Sequence, residues 1–222
     1  MKKTFILFAS LMLTLASQAQ TVSITKKNGS VDIFRAALVD HVAFSEKAPD
    51  IPAKLVSIDL GLPSGTRWAN MNIGANAPEE NGYYFIFGKT KAYTDDTTTD
   101  FNAGDAAGDA ATLRWNTMWQ VPTFEQMQEL VDCCETEWTT FNGVNGYRFT
   151  SKDNGNFIFM PAAGFRSYSS MLDTSIKGCY WSSTESLSKG YARGLELLSD
   201  GINYFDGNSV YAFSVRPVLV RK

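Results

Sequence analysis

Only one stretch of this chain has the spacing of an amphipathic helix, and that scarcity is the strongest constraint on its fold. Thr123 and Gln126 form a T-x-x-Q capping box, and Pro122 just before them restricts Val121 to an extended conformation. The apolar residues that follow recur on one helical face: Phe124, Met127, Leu130, Val131 and Cys134. We therefore predict a helix beginning after Thr123 inside a chain that is otherwise rich in strands and turns.

Short alternating patterns after residue 54 predict the strands. Asp153-Asn154-Gly155 is a hairpin signal between the apolar segments 147–151 and 157–160. Pro217 coincides with a change of apolar parity, which indicates an edge strand or a bulge. The other alternating apolar positions are Val56, Ile58 and Leu60, then Leu195 and Leu197, Phe213 and Val215, and finally Val218 and Val220.

The first nineteen residues read as a secretory signal peptide. Lys2 and Lys3 precede a continuous apolar run over residues 5–16, and Ser17-Gln18-Ala19 supplies small residues before a cleavage site. The apolar run is shorter than the roughly 20 residues that a spanning helix needs. We expect cleavage after Ala19, no membrane span, and a secreted or cell-envelope protein, either periplasmic or at the cell surface.

The rest of the chain divides into two unequal parts. Residues 20–46 alternate as short β segments around an Asn28-Gly29 turn signal. Twenty-seven residues cannot bury an independent core, so this unit must dock elsewhere or remain loosely attached. Residues 47–53 hold two prolines and read as a linker. Residues 54–222 are long enough for one well-packed domain.

Charge and residue inventory exclude several function classes. The chain has 20 Lys+Arg and 23 Asp+Glu, a net charge of −3, without a basic cluster, so nucleic acid is not an expected partner. His41 is the single histidine, which excludes a zinc site needing two histidines and leaves no Ser-His-Asp or Cys-His pair in the main domain. We expect no catalytic residues, no metal and no cofactor.

An aspartate-rich stretch lacks the D-x-D-x-D-G calcium pattern and reads as a solvated loop: Asp95, Asp96, Asp100, Asp105 and Asp109.

Three cysteines leave at least one thiol unpaired within the chain. Cys134 falls on the apolar helix face and reads as a core residue. Cys133 precedes it on the predicted helix, so the two side chains diverge by about 100° and cannot jointly grip one metal. A disulfide from Cys133 or Cys134 to Cys179 stays open in an oxidising compartment.

Six strings give the chain a family resemblance: Asp59-Leu60-Gly61-Leu62-Pro63-Ser64-Gly65-Thr66-Arg67-Trp68-Ala69, Asn72-Ile73-Gly74-Ala75, Trp119-Gln120-Val121-Pro122-Thr123, Pro161-Ala162-Ala163-Gly164-Phe165-Arg166, Tyr180-Trp181-Ser182-Ser183 and Phe213-Ser214-Val215-Arg216-Pro217-Val218. In this order they resemble the Fibrobacter-type major paralogous domain of secreted proteins from Bacteroides-like bacteria. That domain is similar to the C-type lectin-like fold and to its formylglycine-generating-enzyme branch. The resemblance covers roughly residues 54–222.

The resemblance implies an α+β fold of twisted antiparallel sheets with one or two helices and long loops. It implies that the first and last strands pair, bringing residues 56–60 beside 218–220. The motif residues Trp68, Trp119, Trp181 and Arg216 are expected to hold the fold. The formylglycine-generating relatives use a pair of active-site cysteines that this spacing does not reproduce, so that activity is not carried over.

These observations predict a non-catalytic binding module that recognises a glycan, a peptide or a partner protein through its C-terminal loop face. The alternatives are a surface assembly protein acting through residues 20–46, and a hydrolase whose carboxylate pair the sequence does not nominate. Tyrosines and amides suited to recognition crowd the segment 166–211. The candidate ligand-binding residues are Arg166, Tyr168, Arg193, Glu196, Asn203, Tyr204, Asp206, Asn208 and Tyr211.

Overall fold

A computed structural model describes residues 21–25, 31–35, 51–94 and 107–219. The predicted signal peptide, the Asn28-Gly29 turn, His41 and four of the five loop aspartates lie outside these residues. The chain divides into two compact units, residues 1–48 and 49–222, and the division falls inside the proline-containing segment 47–53.

The smaller unit contains an antiparallel pair of strands, β1 (Thr21–Thr25) and β2 (Val31–Arg35). Thr25 pairs with Val31 and Thr21 with Arg35, which is the register of a hairpin. This pairing agrees with the hairpin that the alternation predicts.

The larger unit is mostly β-sheet and has two helices among its described residues. Its elements are, in chain order, β3 (Ser57–Asp59), β4 (Arg67–Ala69), β5 (Tyr84–Ile86), α1 (Ala110–Arg114), β6 (Trp119–Gln120), α2 (Phe124–Cys133), β7 (Cys134–Phe141), β8 (Val144–Ser151), β9 (Phe157–Pro161), β10 (Phe165–Ser167), β11 (Ser170–Leu172), β12 (Lys177–Glu185), β13 (Tyr191–Leu198), β14 (Gly201–Asn208), β15 (Ala212–Ser214) and β16 (Val218–Leu219).

The described strands of this unit form three sheets. The largest has the order β11-β10-β15-β12-β13-β14, with β5 also pairing β15. A four-stranded sheet has the order β3-β4-β16-β6, and a three-stranded sheet has the order β7-β8-β9. The α+β class expected from the sequence is consistent with this arrangement.

The capping box predicted for the helix is present at the start of α2. The Gln126 amide N–H donates to Thr123 Oγ1 at 3.3 Å, and the Thr123 amide N–H donates to Gln126 Oε1 at 2.9 Å. Phe124, Met127 and Leu130 are buried, as the helical spacing predicts. The helix ends at Cys133, and Cys134 already belongs to β7, so the placement of both cysteines on one helix was wrong.

The expected pairing of the first and last strands of this domain was also wrong in detail. β3 and β16 share a sheet, but β4 lies between them, because Val218 pairs with Trp68 and Ile58 pairs with Trp68 from the other side. Alternation shows which side of a strand is apolar, and it carries no information on which strand is the neighbour.

Two large apolar clusters and a small third one around Tyr84 and Tyr93 form the core. One packs α2 against the three-stranded sheet and β13, through residues that include Met127, Phe149 and Leu195. The other surrounds Trp181 and includes Trp115, Trp119 and Phe213. The predicted structural role of the motif tryptophans agrees with this burial, since Trp68, Trp119 and Trp181 are at most 5% exposed.

A groove on the central sheet as the candidate functional site

Strand register places a row of polar side chains on one face of the largest sheet. Cys179 pairs with Glu196, and Glu196 pairs with Asn203 on the following strand. Cross-strand partners share a face of a sheet, and residues two apart along a strand share it as well. Lys177, two residues before Cys179, therefore lies on the same face.

The next row across the same face is aromatic. Trp181 pairs with Gly194, and Gly194 pairs with Phe205, so glycine separates two large rings. A Cβ on Gly194 would lie 3.0 Å from the Phe205 ring, and one on Gly207 would lie 2.8 Å from both the Trp181 and Phe205 rings. The two glycines let the rings lie flat against the strands.

These rows border an open groove of about 360 Å³, which we call the aromatic groove. Its lining residues come from β10, β12, β13, β14, β15 and the turn before β15: Phe165, Lys177, Cys179, Tyr191, Glu196, Phe205, Asp206, Gly207, Asn208, Tyr211 and Phe213. Four of the nine residues predicted from the sequence meet here, namely Glu196, Asp206, Asn208 and Tyr211.

Rings in mutual contact form an aromatic surface along the groove. The Phe165 ring lies 5.5 Å from Tyr211 and 5.8 Å from Phe213, and Phe213 stacks on Trp181 at 4.0 Å. Tyr211 is half-buried, so part of this residue remains exposed. Such a surface offers apolar contact area at low entropic cost.

An ion-pair network fixes the polar wall of the groove. Lys177 Nζ lies 3.0 Å from Glu196 Oε1 and 3.3 Å from Asp173 Oδ2, and it sits 5.0 Å from the centre of the Phe165 ring. Partial burial lowers the pKa of Lys177. The hydrogen bond to Glu196 and the neighbouring charges together outweigh this effect, so the pKa of Lys177 lies above its ordinary value. The lysine therefore stays protonated and holds the Glu196 carboxylate in place.

An amide group extends this polar wall. Asn203 Nδ2 lies 3.5 Å from Glu196 Oε2, and both side chains are on the groove face because the two residues pair across β13 and β14. Asp206 and Asn208 border the groove, but alternation along β14 directs their side chains to the opposite face. There Asp206 Oδ2 accepts a hydrogen bond from Ser186 Oγ at 2.8 Å, and Asn208 Oδ1 accepts one from the Val210 amide at 3.1 Å.

Two more of the predicted residues, Arg193 and Tyr204, lie on this opposite face of the sheet. The Arg193 guanidinium stacks over the Phe124 ring at 3.4 Å, and the Tyr204 ring meets Phe124 edge-on at 5.3 Å. Both side chains cover the start of α2. They do not reach the aromatic groove, because successive residues of a strand point to opposite faces.

Arg166 and Tyr168 are also apart from the groove. Arg166 is fully buried and its Nη1 donates to the Thr94 carbonyl at 2.8 Å, so its expected exposure on the loop face was wrong. Tyr168 is 58% exposed, in the turn between β10 and β11, where its φ is +54°.

Sequence reasoning missed several lining residues, above all Lys177, Phe165 and Phe205. Phe165 stood inside a recognised motif, where an aromatic residue reads as core. Lys177 opens a strand two residues before Cys179, and only the pairing of Cys179 with Glu196 brings the lysine within reach of the Glu196 carboxylate.

Metal sites, membrane-spanning helices and disulfides were also sought among the described residues. No group of three or more His, Cys, Asp or Glu side chains there is placed to hold a metal ion. Asp109, the one loop aspartate that the structure describes, caps α1 by accepting from the Thr112 and Val121 amides, both at 2.8 Å. None of the described helices is long and apolar enough to cross a membrane. All three cysteines are free, which argues against the disulfide left open above.

Comparison of the chain with protein families, with curated proteins and with solved structures finds no significant match.

Proposed function

We propose that this protein is a secreted, non-catalytic binding module and that the aromatic groove is its ligand site. The observation that carries the proposal is the groove itself, where an aromatic surface meets a pre-positioned set of carboxylate and amide groups. Concave sites with apolar walls and a few fixed polar groups are typical of ligand binding.

Among glycans, peptides and protein partners, we favour an uncharged glycan segment. The Lys177 ammonium is shared between the Glu196 and Asp173 carboxylates, so the wall has no free positive charge and does not favour an anionic ligand. Sugar rings present an apolar face that can stack on Tyr211 or Phe165. Their hydroxyls can donate to Glu196 and exchange hydrogen bonds with Asn203.

We further propose that the larger unit has the C-type lectin-like fold of the Fibrobacter-type major paralogous domain. Support comes from the six sequence strings, from the α+β composition, and from the placement of β3 and β16 in one sheet. Support for secretion comes from the sequence of residues 1–19. The intact mass of protein recovered after expression with its leader tests the secretion proposal, because a mass that retains residues 1–19 would contradict it.

A glycan array tests the function with a matched pair of variants. The wild-type chain is applied to immobilised neutral and charged oligosaccharides beside Glu196→Ala and Glu137→Ala. Glu196→Ala removes the acceptor in the groove while Asp173 still pairs with Lys177, whereas Glu137 is an exposed residue of β7 in another sheet.

We expect retention on neutral oligosaccharides, at least about tenfold weaker binding by Glu196→Ala, and unchanged binding by Glu137→Ala. Equal binding by both variants would place the site elsewhere. Absence of retention on every neutral oligosaccharide would contradict the ligand class, and shortening of a captured oligosaccharide would contradict the non-catalytic role.

A further inference from the structure

A second cavity is lined by Trp181. It has a volume of about 300 Å³ and opens between the end of β5, the start of α1 and the middle of β12. Its apolar walls are Phe85, Phe87, Ala110, Val121, Trp181 and Val215. We call it the Trp181 pocket.

Aromatic edges and faces define the interior of the Trp181 pocket. The Phe87 ring meets Trp181 edge-on with centroids 5.6 Å apart, and Trp181 is 2% exposed. Trp181 Nε1 donates to the Phe85 carbonyl at 2.9 Å, which fixes the indole plane against β5. The two rings therefore form preformed aromatic walls that meet at a steep angle.

Polar groups within the walls already have partners in the protein. Ser182 Oγ donates to the Arg193 carbonyl at 2.7 Å. Both carboxylate oxygens of Asp109 accept backbone amides, as described above. An uncharged ring can thus enter without leaving these groups unpaired, whereas a charged group would lose its hydration against the apolar walls. Lys89 and Glu185, which also line the pocket, carry opposite charges.

The mouth of the pocket differs from its interior. Ser183 and Glu185 are exposed and line the opening. A hydroxyl on the ligand could reach either of them while the ring stays inside. The volume lies at the lower end of the range of about 300–1,000 Å³ that small-molecule sites occupy, which limits the ligand to one or two fused rings.

We propose that the Trp181 pocket binds a small, uncharged aromatic molecule, at a site separate from the aromatic groove. This inference does not depend on the glycan proposal, since the two cavities have different lining residues. Trp181 faces the pocket directly, and its indole N–H is therefore a local reporter of occupancy.

The test is a titration of the full ¹⁵N-labelled chain with 2-naphthol, following the indole N–H resonances of the five tryptophans. The Trp181 resonance is identified by its loss in Trp181→Phe. Ser183→Phe places a ring over the mouth at an exposed position, and Ser188→Phe adds the same ring at an exposed site that does not line the pocket. Tyr211→Ala removes a ring from the aromatic groove and leaves the pocket walls intact.

We expect the Trp181 resonance to move saturably, with affinity about tenfold weaker in Ser183→Phe and unchanged in Ser188→Phe and Tyr211→Ala. Thermal melts of each variant confirm that it is folded. The proposal is overturned if the Trp181 resonance does not move up to the solubility limit of the probe, or if Ser183→Phe binds as tightly as Ser188→Phe. A loss of affinity in Tyr211→Ala alone would assign the probe to the groove and overturn the proposal as well.

Discussion

At the scale of single residues, Arg216 shows how the six family-like strings hold distant parts of the chain together. Its Nε donates to Asn72 Oδ1 at 2.8 Å, its Nη2 to the Phe159 carbonyl at 2.8 Å, and its Nη1 to the Ala69 carbonyl at 3.2 Å. Full burial lowers the pKa of Arg216 to about 10 although nearby Tyr180 opposes the shift. The structural role that the sequence predicts for this arginine is confirmed by these contacts.

Gly207 gives the sharpest prediction at this scale. An added Cβ would lie 2.8–2.9 Å from the rings of Trp181, Phe205 and Phe213, so Gly207→Ala forces the aromatic surface to shift. We expect Gly207→Ala to lower the free energy of unfolding by about 1–3 kcal/mol in a denaturant titration. Gly201→Ala on the same strand is the control, because nothing lies within 4 Å of its Cβ position, and it should change stability by less than about 0.5 kcal/mol. Similar losses from both would show that the rings tolerate the methyl group.

The cysteines give a second prediction, on reactivity. Burial raises the pKa of Cys134 to about 11 and that of Cys179 to about 12, so both thiols stay protonated at pH 8. Cys133 is half-buried and therefore more accessible than its neighbours. Iodoacetamide at pH 8 should alkylate Cys133 alone in the folded protein and all three cysteines in denaturant, as read by peptide mass. Rapid alkylation of Cys179 in the folded state would contradict the closed packing beneath the groove.

At the scale of elements, the sequence predicted the helix start and the hairpin turn, because neighbouring residues in the chain determine both. The capping box identified the start of α2, and the Asn154-Gly155 signal identified the β8–β9 hairpin. The sequence did not predict α1, because five residues are too few to show a repeated apolar spacing. Its N-cap residue, Asp109, was interpreted as part of the aspartate-rich loop. The sequence could not predict which side of the sheet Arg193 and Tyr204 occupy. Alternation shows that they share one side, but it does not show that α2 covers that side.

The cap of α2 carries the prediction at this scale. Thr123→Ala removes the acceptor for the Gln126 amide, and an N-cap threonine contributes about 1 kcal/mol to stability. We expect that loss in the free energy of unfolding measured by denaturant titration. Thr174→Ala, at an exposed turn residue, serves as control and should stay within about 0.5 kcal/mol of wild type. An unchanged stability in Thr123→Ala would mean that tertiary packing alone fixes the helix start.

At the scale of the whole molecule, the two units invite a test of independence. The larger unit has its own buried clusters, and its first described strand, β3, begins at Ser57. Deleting residues 21–53 should therefore leave residues 54–222 soluble, with one cooperative thermal transition. A truncated chain that lacks such a transition would show that the smaller unit is part of the same core.

The central claim is that the aromatic groove binds the ligand, and a calorimetric titration of two tyrosine variants tests it most directly. Tyr211 lines the groove, whereas Tyr168 is 58% exposed and lies outside it. With a neutral oligosaccharide that the wild-type chain retains on the array, we predict at least about tenfold weaker affinity for Tyr211→Ala and wild-type affinity for Tyr168→Ala. Wild-type affinity in Tyr211→Ala, with its fold intact, would contradict the account.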